Sequence, residues 1–71
     1  MRIEYYPETD SLYIDLSERP SSDSIEVADG IVIDLDEAGN IVGIDIDHAS
    51  THADLSSLEA ISLPTKQVKV G

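Results

Sequence analysis

The sequence predicts an α+β fold: a small antiparallel β-meander of four to six strands, with one C-terminal helix packed on its apolar face. Three observations predict it. Ile, Leu and Val make up 20 of the 71 residues, and through residue 46 they fall largely at alternate positions, the period of a strand with one face in the core. Turn-forming stretches, Pro7-Glu8-Thr9-Asp10, Asp29-Gly30 and Asp36-Glu37-Ala38-Gly39, separate the alternating runs. From residue 48 to 61 the apolar spacing changes to three and four, the period of a helix. The boundaries that follow are a single small α+β domain over residues 1–61 and a C-terminal tail or edge strand over 62–71.

The first strand, residues 2–6, puts Ile3 and Tyr5 on one face. Pro7 presets φ for the turn that follows. Residues 11–16 put Leu12, Ile14 and Leu16 on one face, and pairing Tyr6 with Ser11 sets Ile3 opposite Ile14. Both strands then turn their apolar residues to one side, as a hairpin requires. Residues 17–23 form a loop by composition, and a short strand follows near Ile25 to Ala28. Asp29-Gly30 is a tight hairpin turn into residues 31–36, where Ile31, Ile33 and Leu35 alternate with Val32, Asp34 and Asp36. A type I turn closing on Gly39 with positive φ leads to residues 40–46. Pairing Leu35 with Asn40 sets Ile33 opposite Val42 and Ile31 opposite Ile44. Asp47 is placed to cap a helix, whose stripe is Leu55 and Leu58, extended by Ala49 and Ile61. Thr51 or Asp54 offers a second start, and Pro64 ends the segment.

Charge excludes whole classes of function. Four Lys and Arg against fifteen Asp and Glu give a formal net charge of −11, so the chain repels phosphate backbones and nucleic acid is excluded as a partner. No apolar run approaches the ~20 residues of a membrane span, and Met1-Arg2-Ile3-Glu4 opens without the apolar stretch of a signal peptide. The expectation is a cytoplasmic protein with no membrane contact. Without Cys there is no disulfide, thiolate metal site or thiol nucleophile. A domain this small buries only about 60% of its unfolded surface, and such domains often gain stability by oligomerising. A homodimer or a bound partner is therefore expected.

Two blocks of the sequence resemble a known family. The first is Ile3-Glu4-Tyr5, Pro7-Glu8, Asp10 and Leu12-Tyr13-Ile14. The second is Gly30-Ile31-Val32-Ile33-Asp34-Leu35-Asp36, Gly39 and Ile41-Val42-Gly43-Ile44, then Ile46 and Ala49-Ser50. Together they look like the domain-of-unknown-function 2283 family of small prokaryotic proteins, over roughly residues 1–50. The resemblance implies a small β-meander with a C-terminal helix. It further implies, from the genomic pairing of some members with a small toxin, an antitoxin-like role. It supplies no catalytic residues.

The polar face of the expected sheet gathers Glu4, Asp15, Asp34 and Asp45 with Tyr6 and Tyr13. We read Tyr6, Tyr13, Asp15, Asp34 and Asp45 as the surface that docks a basic protein partner, since complementary charge speeds association and sets specificity. A self-associating homo-oligomeric module is the alternative, using an edge strand or an outer patch of Tyr6, Tyr13, Val32 and Ile41. A divalent-cation binder at the 34–45 hairpin is a third reading. Asp34, Asp36 and Asp45 with Gly39 echo a calcium loop, which needs carboxylates at alternate positions. Ala38 stands where that loop has a ligand, Asp45 is shorter than its usual Glu, and the flanks have strand rather than helix periodicity. The hairpin itself accounts for these residues as turn and solvent-face positions.

His48 and His52 would share a helix face, and with Asp47 or Asp54 they offer zinc a third ligand; as surface residues at a helix start they need no metal. Ser50 or Ser56 with either His and Asp54 makes a triad on paper, but no nucleophile elbow or oxyanion site accompanies it. No constellation combines a nucleophile, a base and a shaped pocket. The sequence reads as a non-enzymatic protein without a cofactor.

Overall fold

The computed structural model describes residues 1–64. Five strands, β1 (Arg2–Tyr6), β2 (Ser11–Asp15), β3 (Asp23–Ala28), β4 (Ile31–Leu35) and β5 (Ile41–Ile46), precede a short helix, α1 (Ala49–His52). All pairings are antiparallel, and the strand order is β1-β2-β5-β4-β3. The chain thus departs from simple sequence order after β2. The 16–22 loop carries it across to the far edge, and β3, β4 and β5 then return toward β2. This order suits the strands themselves. Ile41-Val42-Gly43-Ile44-Asp45-Ile46, the centre strand, is strongly apolar and free of Pro, whereas β3, with Asp23, Ser24 and Glu26, suits a solvated edge.

The first hairpin has the register that its turn and face pattern predict: Tyr6 pairs with Ser11, Tyr5 with Leu12 and Ile3 with Ile14. The β4–β5 register differs from the expectation. Ile33 pairs with Ile44 rather than Val42, and Ile31 with Ile46 rather than Ile44. The cause is a β-bulge: Asp34 pairs with Gly43 but Leu35 pairs with Ile41, which leaves Val42 as the extra residue. The turn dictates the bulge locally. Gly39, at φ 86°, donates its N–H to the Asp36 carbonyl at 3.0 Å, and Asp36 N–H bonds the Asn40 carbonyl at 2.9 Å. The bulge also moves Ile41 off the outer face where alternation placed it, because cross-strand partners share a face and its partner is Leu35.

Registers compose into rows. Ile3, Ile14, Ile44, Ile33 and Ile25 are successive cross-strand partners, an unbroken isoleucine row over all five strands. Beside it runs Tyr5, Leu12, Ile46, Ile31 and Ala28. The opposite face carries Glu4, Tyr13, Asp45, Val32 and Glu26 in one row and Arg2, Asp15, Gly43, Asp34 and Ser24 in the next.

The helix is much shorter than its expected span of 48–61. α1 comprises four residues, about 6 Å of helix, too short to cover a face of five strands spaced about 4.8 Å apart. Asp47 is not its cap. His48 precedes the helix at φ 51°, with no side-chain capping bond of its own. Residues 53–64 contain no helix or strand, and all are exposed. The physical reason lies in Asp54, whose carboxylate accepts bonds from the backbone and hydroxyl of Ser56. Such local bonds compete with helix extension, and a short helix without tertiary packing does not repay its nucleation. The core is correspondingly small: among the described residues only Val42 and Ala49 are buried apolar residues, and no large side chain is fully enclosed. Of the expected 62–71 tail or strand, residues 62–64 are irregular and residues 65–71 lie outside the described ones.

Candidate functional site

The acidic face is built by strand pairing. Alternation sends Glu4, Tyr6, Tyr13, Asp15, Asp34 and Asp45 to the side away from the isoleucine row, and the registers set them side by side: Glu4 beside Tyr13, Tyr13 beside Asp45, Asp15 and Asp34 on either side of Gly43. Tyr6, Tyr13, Asp15, Asp34 and Asp45 are therefore brought to one face. Glu26 joins them through Val32, its partner on β4. Arg2 is the cation in these rows, 3.5 Å from Glu4 and 3.9 Å from Asp15 at a well-exposed position, where ion pairs contribute little.

Tyr13 is the centre of this face. Its ring lies across Gly43 of the adjacent central strand, and its hydroxyl donates to Asp34 Oδ2 at 3.2 Å, on the strand beyond. A side chain at position 43 would collide with the ring: an added Cβ would run into the Tyr13 hydroxyl and the ring carbon that bears it. Desolvation is the first cause that raises the Tyr13 phenol above its ordinary value, with the Asp34 bond second. Asp45 is also raised, first by desolvation and then by the charges of Asp47 and Asp34. Glu4 raises Tyr6 by hydrogen bonding. Both tyrosines stay protonated donors at neutral pH, within a field of carboxylates.

Asp36 belongs to a different structure. Its carboxylate accepts from the N–H of Ala38 at 3.0 Å and of Asn40 at 2.8 Å, from the Asn40 amide at 3.4 Å, and pairs with Arg19 Nε at 3.0 Å. The Asn40 backbone bond is the main cause that lowers its carboxyl pKa. Asp36 thus closes its turn while Asp34 faces Tyr13, and among the described residues no three of His, Asp and Glu are grouped as metal ligands. An open depression of about 320 Å³ lies between the 19–22 loop and the 36–38 turn, lined by Arg19, Pro20, Ser21, Ser22 and Asp36 to Ala38.

The start of α1 is held by a residue that sequence reading assigned only to a turn. Asp10, at φ 52°, accepts the Ser50 hydroxyl at 2.7 Å and the Tyr5 hydroxyl at 2.7 Å, and its carbonyl accepts the Ala49 N–H at 2.9 Å. The Ser50 N–H also points at this carboxylate, at 3.2 Å and 3.4 Å from its two oxygens. Ser50 is thereby committed to Asp10, and the second hairpin is tied to the same segment by Asp47 N–H on the Gly30 carbonyl at 2.7 Å.

The acidic face also contains two positions that sequence reading passed over, Gly43 and Glu26. Gly43 carries a legible signal, since glycine inside a strand pattern marks close approach of another group. Glu26 carries none until the register of the edge strand is known.

A family model described as Protein of unknown function (DUF2283) matches residues 2–50. The chain belongs to this family. The matched DUF2283 region spans all five strands and ends at Ser50, so it contains both partners of the Asp10–Ser50 contact and the whole acidic face. No curated protein and no solved structure matches the chain. No helix among the described residues is long and apolar enough to cross a membrane.

Proposed function

We propose that this DUF2283 chain is a non-enzymatic interaction module whose acidic sheet face docks a basic protein partner in the cytoplasm. The supporting observation is the one-sided placement of charge. Among the described residues, Glu4, Asp15, Glu26, Asp34 and Asp45 share a face with a single strand cation, Arg2, while the opposite face carries the isoleucine row. Tyr6 and Tyr13 add aromatic area with hydroxyl donors, a composition enriched at interfaces. Such a face attracts Lys and Arg side chains over a distance set by screening, and it repels nucleic acid. The antitoxin-like form of this reading, which the family resemblance suggests, makes the partner a small basic toxin that this face covers.

The test is native mass spectrometry of the tagged protein purified from its own host at low salt, followed by salt titration of whatever basic polypeptide copurifies. The expected result is a defined second chain whose affinity falls steeply with ionic strength and is lost in the variant carrying Asp15→Asn, Asp34→Asn and Asp45→Asn. Affinity that stays flat with salt, or survives that triple substitution, sinks the acidic face as the docking surface.

A further inference from the structure

The acidic face leaves the other side of the sheet unexplained. Ten apolar or aromatic side chains in two cross-strand rows, from Ile3 and Tyr5 on one edge to Ile25 and Ala28 on the other, line a face that α1 is too short to cover. Ile3 is 44% exposed and Ile25 49% exposed, and no large side chain among the described residues is fully buried. The described chain measures 31 × 30 × 19 Å, a slab with one sheet layer, whereas stable sheets bury their apolar face against a second layer. We infer that the isoleucine face is the interface of a homodimer, in which two copies stack sheet on sheet as a β-sandwich.

Three observations select a second copy as the occupant. The first is area. Five strands about 4.8 Å apart, with about five residues each rising roughly 3.4 Å, give a face of about 24 by 17 Å. With side-chain relief that is on the order of 600–800 Å² of accessible surface per partner, the size of a standard stable interface. The second is charge. At −11 per chain, two copies repel through most of their surface, but the two apolar rows carry no charged side chain. Asp23, opposite Leu35 on edge strand β3, stands at the rim. Stacking through the isoleucines points both acidic faces outward, so the dimer keeps two docking surfaces of the kind proposed above. The third is the small core. A fold whose buried apolar residues, among those described, are Val42 and Ala49 needs its cover whenever it is folded, and a copy of itself is the partner that is always present. Residues 65–71 carry two Val and two Lys, too little apolar surface to take the place of a second sheet.

Sedimentation equilibrium, with thermal unfolding followed over a range of protein concentrations, tests this directly. The expected mass is twice the 7.7 kDa of the chain, with Tm rising with concentration. Ile3→Lys and Ile25→Lys, both half-exposed edge positions in one copy, are expected to shift the protein to the monomer mass with the strand signature of its circular dichroism retained. Ile25→Thr, which keeps the β-branch, is expected to weaken the dimer without abolishing it, and serves if the lysine variants do not fold. A Tyr6→Ala control on the acidic face is expected to leave the mass unchanged. A wild-type chain that stays at the monomer mass with a concentration-independent Tm overturns the inference. So does a dimer that dissociates in Tyr6→Ala but persists in the lysine variants, since its interface would then be the polar face. The result is independent of whether a basic partner binds.

Discussion

The ring of Tyr13 lies across Gly43, and the phenol reaches over this glycine to Asp34 on the next strand. Gly43 is therefore a packing requirement of the acidic face. Gly43→Ala would improve the intrinsic strand propensity by roughly 0.5–1 kcal/mol, yet its methyl group would displace the ring and break the Tyr13–Asp34 bond. We expect a net loss of about 1 kcal/mol from the broken bond and repacking, or roughly 4–8 °C in Tm for a domain of this size. In a Tyr13→Ala background the same substitution is expected to be neutral or stabilising. Equal effects of Gly43→Ala in both backgrounds, in a double-mutant cycle by chemical denaturation, would show that the ring does not depend on the glycine.

Asp10 ties the first hairpin to α1, and the Ser50 hydroxyl is the leading cause that lowers its carboxyl pKa below the usual carboxylate range, with Tyr5 second. The sign follows from linkage. A carboxylate whose folded pKa is depressed contributes stability above its unfolded value, and that contribution is lost as pH falls through the folded value. Asp10→Asn is thus expected to lower Tm at pH 7, with the gap to wild type closing below about pH 4. Ser50→Ala is expected to shrink the same pH-dependent gap by removing the largest cause. Asp36 and Asp54 are depressed as well, so the wild-type acid limb keeps part of its slope in both variants. A gap that stays constant from pH 7 to pH 2.5 would assign the effect of Asp10→Asn to packing.

Local chemistry made much of this fold legible. Alternation, Asp29-Gly30 and Gly39 locate the five strands, and a four-residue link fixes the β1–β2 register without any tertiary knowledge. The same alternation sorts Tyr6, Tyr13, Asp15, Asp34 and Asp45 to one face. What stayed hidden depends on non-local geometry. The Val42 bulge shifts the β4–β5 register, because an extra residue leaves the apolar pattern intact while changing which partners meet. The central place of β5 is a sheet-order fact that no local spacing encodes. The spacing of Leu55 and Leu58 suggests a helix, but Asp54 and Ser56 bond each other and residues 53–64 stay exposed. Asp10 looks like a turn residue until Ser50, forty positions away, comes into contact with it.

Asp36 separates a turn from a cation site. Its oxygens accept two backbone N–H groups and the Asn40 amide and pair with Arg19, so its acceptor capacity is committed within the hairpin. Asp36→Ala is expected to lower Tm by several degrees by freeing the turn N–H groups. Asp36→Asn is expected to cost less, since an amide oxygen still accepts those bonds. Calcium at millimolar concentration is expected to leave the wild-type Tm unchanged by differential scanning fluorimetry. A calcium-dependent rise that Asp36→Asn abolishes would instead establish ligand linkage at the 34–45 hairpin.

Asp45 tests whether the acidic face is kept for stability or for binding. Desolvation, with Asp47 and Asp34 nearby, raises its carboxyl pKa. A raised carboxyl acts in the opposite sense to Asp10: its charged form is disfavoured in the fold, so it costs stability at neutral pH, and the cost recedes as pH falls through its folded value. Asp45→Asn is therefore expected to stabilise the protein at pH 7 by a few tenths of a kcal/mol, a figure already reduced for solvent screening, with the gain fading as pH approaches 4. The same substitution removes a charge from the centre strand of the proposed docking face, between Tyr13 and Val32. A variant that melts higher and holds a basic partner less well would show a carboxylate placed for recognition against the interest of the fold. A variant that melts lower at pH 7 would mean that Asp45 is a structural residue, and the acidic face would lose its central determinant.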